Sequence, residues 1–323
     1  MMKKENVSVA QVLPQVSKML EDIIANVERV IVGKRDVISL AVCALLCGGH
    51  VLIEDMPGLG KTSLVSAIAK SFDCSFTRIQ FTPDILPSDI TGFSMYNQKT
   101  GEFDFKKGGV WAQMVLADEL NRTSPKTQAS LLEAMEEGQV TVDGKTYLLP
   151  KPFQVFATQN PREYLGTYPL PEAQLDRFFI RISMGYPSFQ EERDMLERYK
   201  RTSPLKSLSP VANAQALQLM QEIVPKVHVE QSVGDYIVSL VRATRKFADI
   251  RYGASPRATL ALYRGAQAQA LLNGRDYVIP DDVQKMAVPV LEHRIALEQG
   301  LQAQGQTKAQ VMEEVLMHVK APR

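Results

Sequence analysis

The chain is poor in cysteine, with only Cys43, Cys47 and Cys74 among 323 residues. An odd number without framework spacing excludes a disulfide-stapled scaffold and points to a reducing compartment. Cys43 and Cys47 share one face of an apolar helical run and read as small core residues rather than a redox or metal pair. Histidine is scarce as well, and His50, His228, His293 and His318 show no metal-ligand spacing. Charge of one sign is lacking: Lys+Arg is 37 and Asp+Glu is 36, for a net charge of +1. That balance argues against a protein that coats nucleic acid electrostatically. Long hydrophobic runs are missing too. The most apolar stretch, Val37 to Ile53, is interrupted by Gly48-Gly49-His50 and is too short to span a bilayer. Lys3 and Lys4 have no apolar stretch behind them, so the start is not a signal peptide. A cytoplasmic protein without a membrane span is expected. Internal repeats and low-complexity tracts are absent.

What is there is the composition of a soluble globular protein, 45% hydrophobic and 23% charged, at a length suited to two domains. Leu20, Ile23, Ile24, Val27, Val30 and Ile31 recur at helical spacing and predict an opening amphipathic helix ended by Gly33. A second helix is expected from about Asp36 to Cys47. Apolar stretches at Val51–Ile53, Ser75–Phe81, Met114–Ala117, Phe153–Thr158 and Phe178–Ser183 alternate with helical patterns, which implies an α/β fold with a parallel sheet covered on both faces. Two β-hairpins interrupt that alternation. One turns at Asp143-Gly144, where both central positions tolerate positive φ. The other turns around Gln98–Gly101, with Phe93 and Met95 answering Phe103 and Phe105. Beyond Gly185-Tyr186-Pro187 no strand is expected. Ser188 with Glu191 forms a capping box, Ser255-Pro256 opens a helix, and Pro280-Asp281-Asp282 opens another. The boundaries are therefore a core over 1–186 and a small all-α domain over 187–323.

The strand Val51–Ile53 runs into Asp55-Met56-Pro57-Gly58-Leu59-Gly60-Lys61-Thr62, and a helix follows from Ser63. Glycines let backbone N–H groups curve around a phosphate chain, and the helix N-terminus adds its positive dipole end. The nucleotide contacts expected here are Pro57, Gly58, Leu59, Gly60, Lys61, Thr62 and Ser63, with Lys61 on the β- and γ-phosphates and the Thr62 hydroxyl on Mg²⁺. One departure stands out: the strict phosphate-loop pattern has glycine where this chain has Asp55. Met114–Ala117 ends in Asp118-Glu119, which places two carboxylates at the C-terminal edge of the sheet, where ligands bind in such folds. Asp118 is expected to hold Mg²⁺, and Glu119 to polarise the attacking water as general base. Val155–Thr158 leads to Gln159-Asn160-Pro161, where an amide can orient water. Arg177 precedes the last strand and Arg257 sits at a helix start.

Together the motifs resemble the AAA+ ATPases, and within them the MoxR family, from about Val30 to the C-terminus. The resemblance is carried by Ile31-Val32-Gly33-Lys34, Pro57–Thr62, Leu116–Arg122, Ala157–Pro161, Leu170–Phe178 and Ser255-Pro256-Arg257, in this order along one chain. It implies a five-stranded core followed by a helical lid, with Val32 and Gly33 against the adenine. It makes Asn160 sensor 1, Arg177 the arginine finger serving a neighbouring subunit, and Arg257 sensor 2 acting within its own subunit. A homo-hexameric ring is implied, with ATP and Mg²⁺ as cofactors. So is chaperone-like work on partner proteins carrying a von Willebrand A domain, in maturation or metal-cofactor insertion. Two other readings are set beside it. A DNA motor or magnesium-chelatase-like subunit of the same clade lacks a basic stripe here, since only Lys106-Lys107 and Lys145 are placed to grip phosphates. A nucleotide-sensing scaffold without turnover is favoured by Asp55 and disfavoured by Glu119, Asn160 and Arg177.

Overall fold

The computed structural model of the chain describes residues 9–160, 166–200, 203–301 and 305–322. Pro161, the end of the Ala157–Pro161 motif, lies outside them. The chain opens with α1 (Val9–Glu28) and α2 (Arg35–Leu46), and then enters the sheet through β1 (Val51–Glu54), α3 (Lys61–Ser71) and β2 (Phe76–Gln80). A short α4 (Pro87–Thr91) leads to the hairpin β3 (Gly92–Asn97) and β4 (Glu102–Lys107). Then come β5 (Met114–Asp118), α5 (Pro125–Glu137), the hairpin β6 (Gln139–Val142) and β7 (Lys145–Leu148), β8 (Gln154–Gln159), α6 (Glu172–Leu175) and β9 (Ile180–Ile182).

β2, β5, β8, β1 and β9 form one five-stranded sheet in that order, and all its pairings are parallel. Its inner strands β5, β8 and β1 are largely apolar runs because both faces are covered, while the edge strands β2 and β9 also carry exposed or half-buried polar residues such as Arg78, Gln80 and Arg181. Val51 and Ile53 face one apolar cluster, shared with α1, α2 and α3, while Leu52 faces a second under α5. Ser124 caps α5 by accepting from Thr127 N, Pro125 fills the first helical position, and Gly138 at φ 61° stops the helix. These signals set where Glu136, near the helix end, comes to lie.

Both hairpins form, but one in a different register from the expected one. Asp143 (φ 51°) and Gly144 (φ 74°) make the two-residue turn between β6 and β7. In the other hairpin Phe93 lies opposite Lys106 and Met95 opposite Asp104, while Phe103 and Phe105 face Tyr96 and Ser94. The turn starts from the pair Asn97–Glu102, one residue away from the register that would have matched the apolar positions, and a one-residue slip moves every side chain to the other face.

After β9 the chain is helical: α7 (Phe189–Tyr199), α8 (Ala214–Ile223), α9 (Gln231–Thr244), α10 (Pro256–Leu272), α11 (Pro280–Leu291) and α12 (Lys308–His318). The Ser188–Glu191 capping box opens α7 as expected. The expectation of no strand beyond Gly185 is corrected by β10 (Ile250–Tyr252) and β11 (Ala296–Leu297), a small antiparallel pair tying α9 to the end of α11. Cys43 and Cys47 face α10, with Cys43 Sγ 3.6 Å from Gln269 Oε1, and burial pushes the Cys43 thiol up to about 12. No described helix is long and apolar enough to cross a membrane.

Candidate active site

A parallel sheet gathers the ends of its strands on one edge, and four expected site elements meet there. The phosphate loop follows β1 with Gly58 and Gly60 both at φ 86°, conformations that side chains rarely adopt. Gly60 is the N-cap of α3 and no side chain caps that end, so the first-turn N–H groups of Lys61, Thr62 and Ser63 are left for a ligand. Lys61 Nζ folds back onto the loop, donating to Asp55 O (2.7 Å) and Met56 O (3.2 Å). Burial pushes the Lys61 pKa below the usual lysine value, and the charges of Asp55, Asp118 and Glu119 oppose that fall. An ammonium held by carbonyls alone in an anionic field is ready for phosphate oxygens. Pro57 and Gly58 are exposed and Leu59 half-buried, so the loop's outer side is open.

Asp118 ends β5 and Glu119 follows it in the left-handed region (φ 59°, ψ 47°), an uncommon conformation for a non-glycine residue. Thr158 of β8 fixes this turn: its hydroxyl donates to Asp118 Oδ1 (2.6 Å) and accepts from Glu119 N (2.8 Å). Strand β2 supplies two partners that the motifs did not announce. Arg78 donates to Asp118 Oδ2 through Nε (3.1 Å) and Nη2 (2.6 Å). Gln80 donates to Glu119 Oε2 (2.8 Å), which Arg122 also reaches at 2.9 Å. Asn160 directly follows β8 on the same edge. Among the described residues no group of three or more His, Cys, Asp or Glu could hold a metal by itself. Mg²⁺ arriving with phosphates needs only one or two protein ligands, and Thr62 with Asp118 fits that demand.

Val32 and Gly33 lie between α1 and α2. Gly33 has φ 69°, a conformation that favours glycine, and the Glu191 side chain packs directly over it. Lys34 Nζ donates to Tyr186 O at 3.0 Å, which brings this turn against the segment leaving β9.

Arg177 and Arg257 are brought together, but not at this edge. Both reach Glu136: Arg177 Nε to Oε2 at 3.2 Å and Arg257 Nη2 to Oε1 at 2.7 Å. The Arg257 hydrogen bond, with the charges of Arg177 and Arg257, holds the Glu136 carboxyl below the usual carboxylate range against burial. The three line a cleft of about 340 Å³ with Gly48, Gly49 and His50, the residues that precede β1. They therefore occupy the edge where the strands begin, and the length of β1, roughly 13 Å, separates them from the phosphate loop. The expectation that Arg257 serves its own subunit's phosphates is corrected by this placement: α10 presents it beside Arg177.

The Asp176–Phe179 segment that carries Arg177 is held from the helical domain. Arg294, almost fully buried, donates to Asp176 Oδ1 (2.7 Å), Phe178 O (2.6 Å) and Phe179 O (3.0 Å), and Ser255 Oγ donates to Asp176 Oδ2 (3.1 Å). Arg78, Gln80, Glu136 and Arg294 escaped the motif reading because each meets its partner across a long stretch of sequence.

Comparison with known proteins identifies the family. The profile of the ATPase family associated with various cellular activities (AAA) matches residues 50–180, and that of the AAA lid domain matches residues 242–315. The YeaC protein of Bacillus subtilis is 51% identical over 94% of this chain and 95% of its own. Chaperone MoxR1 of Mycobacterium tuberculosis is 42% identical over 94% of this chain and 82% of its own. A crystal structure of a protein assigned as an ATPase, from Cytophaga hutchinsonii, superposes with a TM-score of 0.90 at 39% identity over 98% of both chains. The chain belongs to the MoxR family of AAA+ ATPases.

Proposed function

We propose that the protein hydrolyses ATP to ADP and phosphate at a site shared between neighbouring copies in a ring, and uses the cycle to remodel partner proteins. The observation that carries this reading is the split of the machinery: Lys61, Asp118 and Glu119 sit at one edge of the sheet, and Arg177 with Arg257 at the other. One chain cannot close both groups on one nucleotide. A head-to-tail ring can, because it sets the arginine edge of each copy against the phosphate loop of the next.

In this reading the adenine rests against Val32 and Gly33, and the loop from Pro57 to Ser63 cradles the phosphates. Lys61 leaves the Asp55 and Met56 carbonyls for the β- and γ-phosphates. Magnesium, held by the Thr62 hydroxyl and Asp118, would neutralise charge on the phosphate oxygens. Asn160 orients the attacking water and Glu119 accepts its proton as the new P–O bond forms. The bond to the β-phosphate oxygen breaks, and Arg177 and Arg257 of the adjacent copy stabilise the charge that gathers there. For that, Glu119 must turn from Gln80 and Arg122 toward the water.

The remodelling part rests on kinship. A relative 42% identical is named a chaperone. Partner proteins with von Willebrand A domains, served in maturation or metal-cofactor insertion in the cytoplasm, and a hexameric ring are carried over from the family. The test is ATPase activity against protein concentration, with particle mass followed by light scattering. Specific activity should rise steeply as a ring-sized species appears. Arg177→Ala and Lys61→Ala proteins, each inactive alone, should regain turnover when mixed. Activity that is independent of concentration, or no recovery on mixing, would refute the shared site.

A further inference from the structure

Asp55 stands where a phosphate loop ordinarily has glycine, and its backbone does not require one, since its φ is not positive. The side chain points away from the loop, toward the segment that leaves β9. Its carboxylate accepts from Ser183 Oγ (2.7 Å), Met184 N (2.5 Å) and Gly185 N (3.3 Å). Three donors on one buried carboxylate make charge-assisted bonds, stronger than neutral ones. Asp55 is 6% exposed, and glycine in its place would leave those donors without their acceptor.

The segment Ser183–Glu191 joins the sheet to the helical domain, and it touches the nucleotide machinery at several points. A Cβ at Gly60 would lie 3.8 Å from Met184 Cε, so the Met184 side chain covers the last glycine of the loop. Tyr186 O accepts from Lys34, and Glu191 packs over Gly33. At the loop itself, the Asp55 carbonyl accepts from Lys61 Nζ, the group that the phosphates would take.

We propose that Asp55 is a positioning residue that transmits the state of the phosphate loop to the joint between core and lid. Its carbonyl responds to Lys61 and its carboxylate holds Ser183, Met184 and Gly185. Nucleotide that orders the loop therefore orders the joint through one residue, and a glycine there would bind nucleotide without moving the lid. This rests on the nucleotide reading above.

The test is amide hydrogen exchange of the 183–191 segment in Glu119→Gln protein, with and without saturating ATP·Mg²⁺, nucleotide occupancy being measured on the same samples. In the parent, ATP should slow exchange of Met184 and Gly185 about tenfold. In Asp55→Asn, whose amide cannot serve all three donors, that slowing should vanish at full occupancy. Ser183→Ala, which removes one donor and keeps the carboxylate, should lose part of it, and Ser183→Thr should restore it. These two variants decide the matter if Asp55→Asn does not fold. Equal slowing in the parent and the variants, or no slowing in an ATP-saturated parent, overturns the coupling. A parent that takes up no ATP overturns the nucleotide reading instead.

Discussion

His50 offers a stability test whose size follows from its surroundings. It precedes β1 and is buried edge-on against Phe153. Val155 N–H donates to its Nδ1 (3.0 Å), which leaves the proton on Nε2, and that group donates to Met135 O (2.9 Å). Burial pushes its pKa from 6.5 down to about 4. Between those values the unfolded chain holds a proton that the folded chain does not, so stability falls as pH drops through this window and is unaffected well above it. At 1.36 kcal/mol per unit the complete loss is about 3 kcal/mol, and roughly 2 kcal/mol of it should be gone between pH 7 and pH 5. Urea unfolding at those two pH values, on the native protein and on His50→Gln, isolates the effect. His293 is also pushed down, by burial and then by Arg294, but it is present in both proteins and cancels in the difference. The variant should be less stable at pH 7 yet lose about 2 kcal/mol less on acidification. An equal loss in both proteins would refute the assignment of this proton to His50. The functional side follows from position: a protonated Nδ1 cannot accept from Val155, and Met135, the other partner, is the neighbour of Glu136.

Two further outcomes follow from the acids. Glu119→Gln should bind ATP as tightly as the native protein while turnover falls at least about a hundredfold, with the ring persisting in ATP; unchanged turnover removes Glu119 as the base. Glu136→Gln should release Arg177 and Arg257 for a neighbour's phosphates and lower the protein concentration at half-maximal ATPase by roughly three- to tenfold. A higher concentration would mean instead that Glu136 aims the two arginines.

The sheet was legible mainly through its inner strands β1, β5 and β8, short and largely apolar runs, a pattern that a parallel sheet with both faces covered imposes. The Asp143-Gly144 turn was legible because only a few residue pairs suit its backbone. The register of the hairpin β3–β4 was not. Apolar residues occur on both of its faces, Phe93 and Met95 on one and Tyr96, Phe103 and Phe105 on the other, so apolar matching could not choose between registers one residue apart. β10 and β11 are three and two residues long, too short to show any alternation. At the site, residues adjoining a motif were readable and their partners were not. Asp118 is announced by its strand, whereas Arg78 becomes its partner only through the β2–β5 pairing. Arg257 was recognisable as a helix-start arginine, but which edge of the sheet it serves depends on how α10 packs, and no local pattern records that.

The partners of these residues also explain why a lone subunit should be idle. In the free chain every charged group that the proposed hydrolysis uses is already occupied by the protein itself. Lys61 is on two carbonyls, Asp118 on Arg78, Glu119 on Gln80 and Arg122, and Arg177 and Arg257 on Glu136. The Arg257–Glu136 pair is open to solvent, with side chains 52% and 35% exposed, and is worth at most about 1 kcal/mol. The Arg78–Asp118 pair is exposed only at its arginine end, since Asp118 is buried. In the proposed cycle a triphosphate with its metal, and a second copy presenting its arginine edge, would compete for these groups. Neither alone exchanges both sets: nucleotide can free Lys61 and Asp118, but Glu136 gives up its arginines only to an anion at the opposite edge. In the proposed shared site, hydrolysis would thereby be tied to assembly by ordinary contacts, without a special lock on any one residue.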